Sequence, residues 1–327
     1  MIPTTFTAEA KQLAATVRNV TAAWHLPSAG NCVTESEHFW QQMADAAELG
    51  WTSILDDVDC VGFGQLAASA DLVDAAGAVV RELARSGVVL PVRQTLLARA
   101  VARDPIADGA IAVGPSAHGV WEPVASVRVD EAGVARKQAV GRSEIVLDVA
   151  GRPVNRHDVC EPGPEISPVG ALARFLLVQE IAGAVQGALE CSREYVTSRV
   201  QFGRALVTLP AVVQMLGQLS IAQLELDQAI RIFGLRLQGD SAERICFAGT
   251  VARSVACDVA GDVAIHSHQL HGALGITEEA GLWHRTVVLW ADQDEGLTGR
   301  SWGLSTLADS EFDLWSRTAP VRELAQT

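Results

Sequence analysis

The chain has 327 residues, of which 49% are hydrophobic and 20% charged, and its formal net charge is −14. Such a length supports a large core shared by two or three subdomains, and the apolar share excludes a disordered chain. The acidic balance disfavours nucleic acid or an anionic membrane as a general partner, so any anionic ligand must be captured by a local basic site.

From Thr7 to about Ala102 apolar residues recur at three- and four-residue spacing in "SEHFWQQMADAAELGW", "LAASADLVDAAGAVVRELARSG" and "VRQTLLARAVARD", which predicts a helical N-terminal region over residues 1–104. Gly50 and Gly87 stand where helices would stop, and Pro91 where the next would open. Over residues 105–167 the pattern shifts to short β-branched or alternating stretches, "GAIAVG", "VASVRVD" and "SEIVLDVAG", before the Pro-rich "CEPGPEISPVG". This predicts a small middle β unit. Over residues 168–327 helical patterns return in three segments of nearly thirty residues, broken by "QFGRALVT" and "GDSA" and followed by shorter pieces. The expected fold is mainly α with a small β insert: an N-terminal helical domain, a short β domain and a C-terminal antiparallel four-helix bundle.

The six cysteines, at 32, 60, 160, 191, 246 and 257, form no CxxC pair and no zinc-like spacing, so they read as reduced thiols in the cytoplasm. No apolar run reads as a membrane span, and the opening "MIPTTFTAEAKQLAATVRNV" lacks the layout of a signal peptide. His266, His268 and His271 are too poorly aligned on a helix for a three-ligand metal site, so capping and packing roles are expected and no metal.

Two breaks between the long segments carry chemistry. In "SREYVTSRVQFGRAL" a helical pattern ends in Arg199, Phe202, Gly203 and Arg204, a cationic and aromatic corner beside a glycine turn. Such a corner offers a forked cation and free backbone N–H groups to a phosphate, although a surface arginine and a buried phenylalanine would explain the pentapeptide by itself. In "HQLHGALG" Gln269 ends a helix, Gly272 lets backbone approach a ligand closely and Gly275 permits a tight turn.

These segments, together with "LPAVVQML", "AIHSHQLHGALGITEEAGLWHR" and "DEGLT", resemble the acyl-CoA dehydrogenase family in order and spacing, most strongly over residues 171–297. The resemblance implies FAD as cofactor, an acyl-CoA thioester as substrate and electron-transfer flavoprotein as electron acceptor. It implies that Arg199, Phe202, Gln269 and Gly272 contact the FAD of a neighbouring subunit. It also implies a carboxylate base that removes the α-proton while hydride leaves Cβ, and Glu295 in "DEGLT" is the candidate.

The sequence departs from the family in ways that shape the functional expectation. Aspartate replaces the tyrosine of the family's Y-E-G-T, and the alternative base position falls near Ala173 and Arg174, where there is no carboxylate. Asp292, Asp294 and Glu295 together read as a solvated acidic face. The nearest match to the family's flavin-ring segment is "AVGPSAHGVWEP", without Thr-Glu-Pro. The chain therefore resembles the smaller subunit of heteromeric actinobacterial enzymes that dehydrogenate steroid side-chain CoA thioesters, with a second acyl-CoA dehydrogenase chain as partner in a heterotetramer. Arginine outnumbers lysine 23 to 2, in keeping with a GC-rich genome. A homo-oligomeric enzyme using Glu295 as base and a flavin-free assembly subunit remain as alternatives.

Overall fold

In the computed structural model the described residues are 6–26, 31–114, 120–130, 133–137, 146–154, 166–201 and 203–295. The N-terminal part is helical: α1 (Ala8–Thr21), α2 (Glu37–Glu48), α3 (Phe63–Ala68), α4 (Ala70–Ser86) and α5 (Val92–Val101). The Thr7 side chain caps α1 by accepting from the Ala10 N–H at 3.2 Å. Gly87 closes α4 in the left-handed conformation, with φ +80°, and Pro91 stands at the start of α5.

The β elements that follow are short. The strands β1 (Ala112–Val113), β2 (Val127–Val129) and β3 (Ala135–Lys137) form one sheet, with β1 parallel to β2 and β2 antiparallel to β3. A second, antiparallel pair joins β4 (Val146–Leu147) and β5 (Pro153–Val154). Trp121 lies beside this pair at φ +66°, and its buried ring stacks on Phe39 of α2 with centroids 5.7 Å apart. A non-glycine residue held there is strained backbone, kept in place by the packing of a large aromatic ring.

Three long helices then follow: α6 (Pro168–Ser198), α7 (Pro210–Leu237) and α8 (Ala242–His271), with the hairpin β6 (Val200–Gln201) and β7 (Arg204–Ala205) between α6 and α7. The shorter α9 (Trp283–Asp294) ends the described chain. Ser167 and Ser241 each cap the helix that follows through the side-chain oxygen. The central element is α6, which packs against α4, α5, α7, α8 and α9. Most of its middle is apolar and buried, as packing against so many neighbours requires. It is also long and apolar enough to cross a membrane, contrary to the reading of the bare sequence, but 67% of that stretch is buried inside the protein. Gly183 and Gly187, one turn apart, let α4 approach α6 closely. A Cβ at either would run into the backbone oxygen of Arg81 or Arg85. One continuous apolar core runs from Val17 to Leu289.

Candidate functional site

The C-terminal end of α6 sets out the first part of the site. Its last turn closes when the Arg199 N–H donates to the Tyr195 carbonyl at 2.9 Å, and Arg199 itself takes up extended backbone. The chain turns back through a hairpin that pairs Val200 with Ala205 and Gln201 with Arg204, and the Leu206 N–H returns to the Arg199 carbonyl at 2.9 Å. Gly203, with φ +75°, supplies the left-handed residue that so short a turn demands. Arg199 and Arg204 are both exposed. Among the described residues neither guanidinium has an ion-pair partner. Phe202 lies outside the described residues.

The second part is the end of α8. Gln269 is exposed on the last turn, and Gly272 caps the helix at φ +60° and ψ −139°, a conformation restricted to glycine. A side chain at Gly272 would meet nothing within 4 Å, so its backbone faces open space. Gly275 serves a different purpose from the turn expected of it: it is buried, and a Cβ there would sit 3.0 Å from His268 Nδ1 and from the His271 Cβ. It is a packing glycine.

A stacked pair brings the two parts together. The Tyr195 ring lies on the His271 ring with centroids 4.5 Å apart and planes 19° from parallel. The ends of α6 and α8 are therefore neighbours, with Arg199 one turn beyond Tyr195 and Gly272 directly after His271. His271 Nδ1 lies 2.9 Å from the Ser267 carbonyl, which can only accept, so Nδ1 carries the hydrogen. Burial holds the His271 pKa below its ordinary value, which keeps the ring neutral. Neighbouring His268 is lowered too, by burial first and then by His271. It approaches Thr286 Oγ1 at 3.0 Å and stacks on Trp290 of α9. His266 turns back to the Asp262 carbonyl, and no group of three metal-ligating side chains occurs among the described residues.

Two guanidiniums with no ion-pair partner among the described residues and an exposed carboxamide are donors of the kind a diphosphate takes, and Gly272, whose own N–H is committed to the His268 carbonyl, adds bare backbone with open space beside it. The adenosine-diphosphate half of FAD carries such a group.

The third candidate, Glu295, lies elsewhere. It follows α9 and is buried, as is Asp292 one turn earlier, so the solvated acidic face expected from the sequence is not what forms. Arg93 of α5 donates to Glu295 Oε2 at 2.5 Å and also pairs with Glu180 of α6. Arg152, beside β5, donates to Asp292 Oδ1 at 2.6 Å and to Asp148 at 2.6 Å, and lies 3.9 Å from Glu295. Arg253 of α8 donates to the backbone carbonyls of Asp292, Gln293 and Glu295. Burial works against the charge on Arg93 and Arg152, but the surrounding carboxylates outweigh it and both stay firmly protonated. Burial, followed by the charge of Glu180, raises Asp292 to about 7, against the opposing pull of Arg152 and Arg93. Nothing in the sequence marked Arg93, Arg152 or Glu180 as partners of this segment.

This arrangement is that of the acyl-CoA dehydrogenase fold, and residues 171–289 match the acyl-CoA dehydrogenase C-terminal domain. The resemblance read from the motifs therefore holds for the stretch that carries Arg199, Gln269 and Gly272. Among solved structures, the chain is similar to the ChsE4-ChsE5 complex from Mycobacterium tuberculosis, at 18% identity and a TM-score of 0.63 with all of both chains covered. It is similar to butyryl-CoA dehydrogenase from Megasphaera elsdenii at 14% identity and a TM-score of 0.67, over 94% of this chain and 100% of that one. It is also similar to a Tcur3481-Tcur3483 steroid ACAD variant at 16% identity and a TM-score of 0.64, over 92% and 97% of the two chains. No curated protein matches the sequence.

Proposed function

We propose that this chain is a subunit of an FAD-dependent acyl-CoA dehydrogenase that grips the adenosine-diphosphate half of a flavin shared with a companion chain. The observation that carries the reading is the convergence, through the Tyr195–His271 stack, of the Arg199 hairpin and the Gln269–Gly272 turn. In this reading Arg199 holds phosphate through a charge-assisted bond, Gln269 adds a carboxamide, and Gly272 admits the ligand against bare backbone. Bound FAD would accept the hydride released from Cβ of a CoA thioester. Glu295 is already engaged by Arg93, so the companion chain supplies the base that takes the α-proton.

The helices α6 to α9 form the antiparallel four-helix bundle through which a cytoplasmic heterotetramer assembles. A steroid side-chain CoA thioester is the substrate class that the likeness to the steroid ACAD suggests, with electron-transfer flavoprotein as acceptor. The test is to purify the chain by itself and with the companion encoded beside it, and to record flavin spectra and thioester dehydrogenation. Flavin and turnover only in the pair are expected. Stoichiometric flavin and turnover in the lone chain would replace this reading with a homo-oligomeric enzyme using Glu295. A flavin-free active pair would leave an assembly subunit.

A further inference from the structure

We infer that Tyr195 and His271 are positioning residues for the flavin's adenosine-diphosphate half: their stack fixes the distance between the Arg199 hairpin and the Gln269–Gly272 turn. The inference rests on the shared-flavin reading above, and it assigns a task to two residues that do not themselves hold the ligand.

The geometry has three parts. First, each ring is anchored within one turn of a ligand-facing group. Tyr195 shares its helical turn with Arg199 through the 2.9 Å backbone bond, and His271 is followed directly by Gly272. Second, the His271 ring is not free to rotate. Its Nδ1 hydrogen is committed to the Ser267 carbonyl one turn back, and the side chain is buried. Third, the end of α8 is held by a second helix as well, because His268 bonds Thr286 and stacks on Trp290 of α9 with planes 6° from parallel. Gly275 lets the following turn lie against both histidines at contact distance. The end of α8 is thus fastened to both α6 and α9, while Arg199, Arg204, Gln269 and Gly272 stay exposed.

Groups held in place in advance spare the ordering that loose ends would undergo when a ligand bridges them. Removing one ring leaves every ligand-facing group in place but frees the gap between them. A stacked ring pair of this kind predicts a loss of about three- to tenfold in flavin affinity when one ring is removed.

The experiment uses the flavin-loaded assembly that this chain forms. His271→Ala, His271→Phe, Tyr195→Leu and Arg199→Ala are compared for FAD retained after dialysis, read by flavin absorbance, with helix content and assembly size measured alongside. The expected result is FAD loss in His271→Ala and Tyr195→Leu with helix content and size unchanged, and retention within about twofold of the parent in His271→Phe, which keeps a ring for Tyr195 to stack on. Arg199→Ala also loses FAD if the underlying reading is right. Full retention in His271→Ala and Tyr195→Leu alongside a loss in Arg199→Ala overturns the positioning role alone. Retention in all of them overturns the shared-flavin reading and this inference with it. If His271→Ala does not assemble, Tyr195→Leu against His271→Phe decides the matter.

Discussion

Arg93 and Glu295 meet at 2.5 Å although 202 positions of chain separate them. The contact joins the last N-terminal helix to the end of α9, and with Arg152 and Asp148 it draws the middle region into the same buried network. Two guanidiniums, of Arg93 and Arg152, face four carboxyl groups, of Asp148, Glu180, Asp292 and Glu295, while Arg253 binds the backbone carbonyls of the same segment. Carboxyl groups outnumber the paired guanidiniums, which favours a proton on one of them, and Asp292 is the one that burial and Glu180 raise. Its Oδ2 atom is buried with no hydrogen-bond partner among the described residues, which also favours the neutral acid.

A pH signature follows from Asp292. Its folded pKa, about 7, lies above the ordinary value of 3.8, so between those values the folded state binds a proton that the unfolded chain has released. This contribution to stability is present below about pH 4 and is lost as pH rises towards 7, at no more than ~1.4 kcal/mol per pH unit. Asp292→Asn should remove it. Denaturant melts of parent and variant across that range, compared by difference, cancel the terms from the buried histidines and from Asp74 of α4, which burial raises to about 6. A parent-minus-variant difference that does not change with pH refutes the assignment.

Breaking the pair from the other side should have a larger effect. Arg93→Met leaves buried Glu295 and partly buried Glu180 without their shared cation, and removing one partner of a buried pair typically destabilises by about 3–5 kcal/mol. A melting temperature close to the parent's would mean that the network is more hydrated than its burial indicates.

The crossing of α4 and α6 predicts a steric effect. Gly183→Ala places a methyl group against the Arg81 carbonyl in backbone that cannot yield as a side chain would. A loss of about 1–3 kcal/mol or more is expected, measured by urea unfolding, whereas Gly217→Ala on α7, which meets nothing, should be neutral or slightly stabilising.

Much of this architecture is legible locally. Ser167 before Pro168, Gly87 after Ser86, and the glycine turn at Gly203 are signals in neighbouring residues, and the helices begin and end beside them. Arg199, Gln269 and Gly272 are singled out by the resemblance of their two segments to the acyl-CoA dehydrogenase family, since the pentapeptide around Arg199 does not mark a ligand by itself. The rest depends on contacts across the chain. Asp292 and Glu295 read as solvated because acidic residues usually are, and only the arrival of Arg93 and Arg152 makes their burial tolerable. The stack of Tyr195 on His271 is invisible for the same reason: neither residue has a periodic or capping signal, and the pair exists only once α6 and α8 share an end.

For assembly, α7 keeps Val213, Ile221, Leu224 and Ile232 exposed at three- and eight-residue steps along one stripe, and α8 adds Ile265. Apolar surface of this extent marks an interface, so a tetramer through these helices is expected. Light scattering of the Ile221→Glu, Ile232→Glu double variant should show smaller species than the parent. A parent that is a stable monomer at micromolar concentration, with and without its companion, would contradict the expectation.

Arg199→Ala tests the flavin grip directly. Loss of a charge-assisted bond to phosphate should reduce affinity by about 1.5–3 kcal/mol, roughly ten- to a hundredfold, with the helices intact because the guanidinium is exposed. FAD held as tightly as in the parent through dialysis would show that the hairpin faces something else.

The last prediction concerns the base. A carboxylate that takes a proton from carbon must reach the substrate, whereas Glu295 accepts from Arg93 at 2.5 Å and lies 3.9 Å from Arg152. Acting as base would require it to give up those bonds inside a buried network. Glu295→Gln preserves shape and can still accept from Arg93, and it removes one charge that raises Asp292, so Asp292 should titrate lower in this variant. In the assembled enzyme, with a steroid-type CoA thioester and an artificial acceptor, turnover within a few-fold of the parent is expected. A general base typically contributes about 10²–10⁴-fold, so a loss of that size with FAD still bound would make Glu295 the base and this chain an enzyme in its own right.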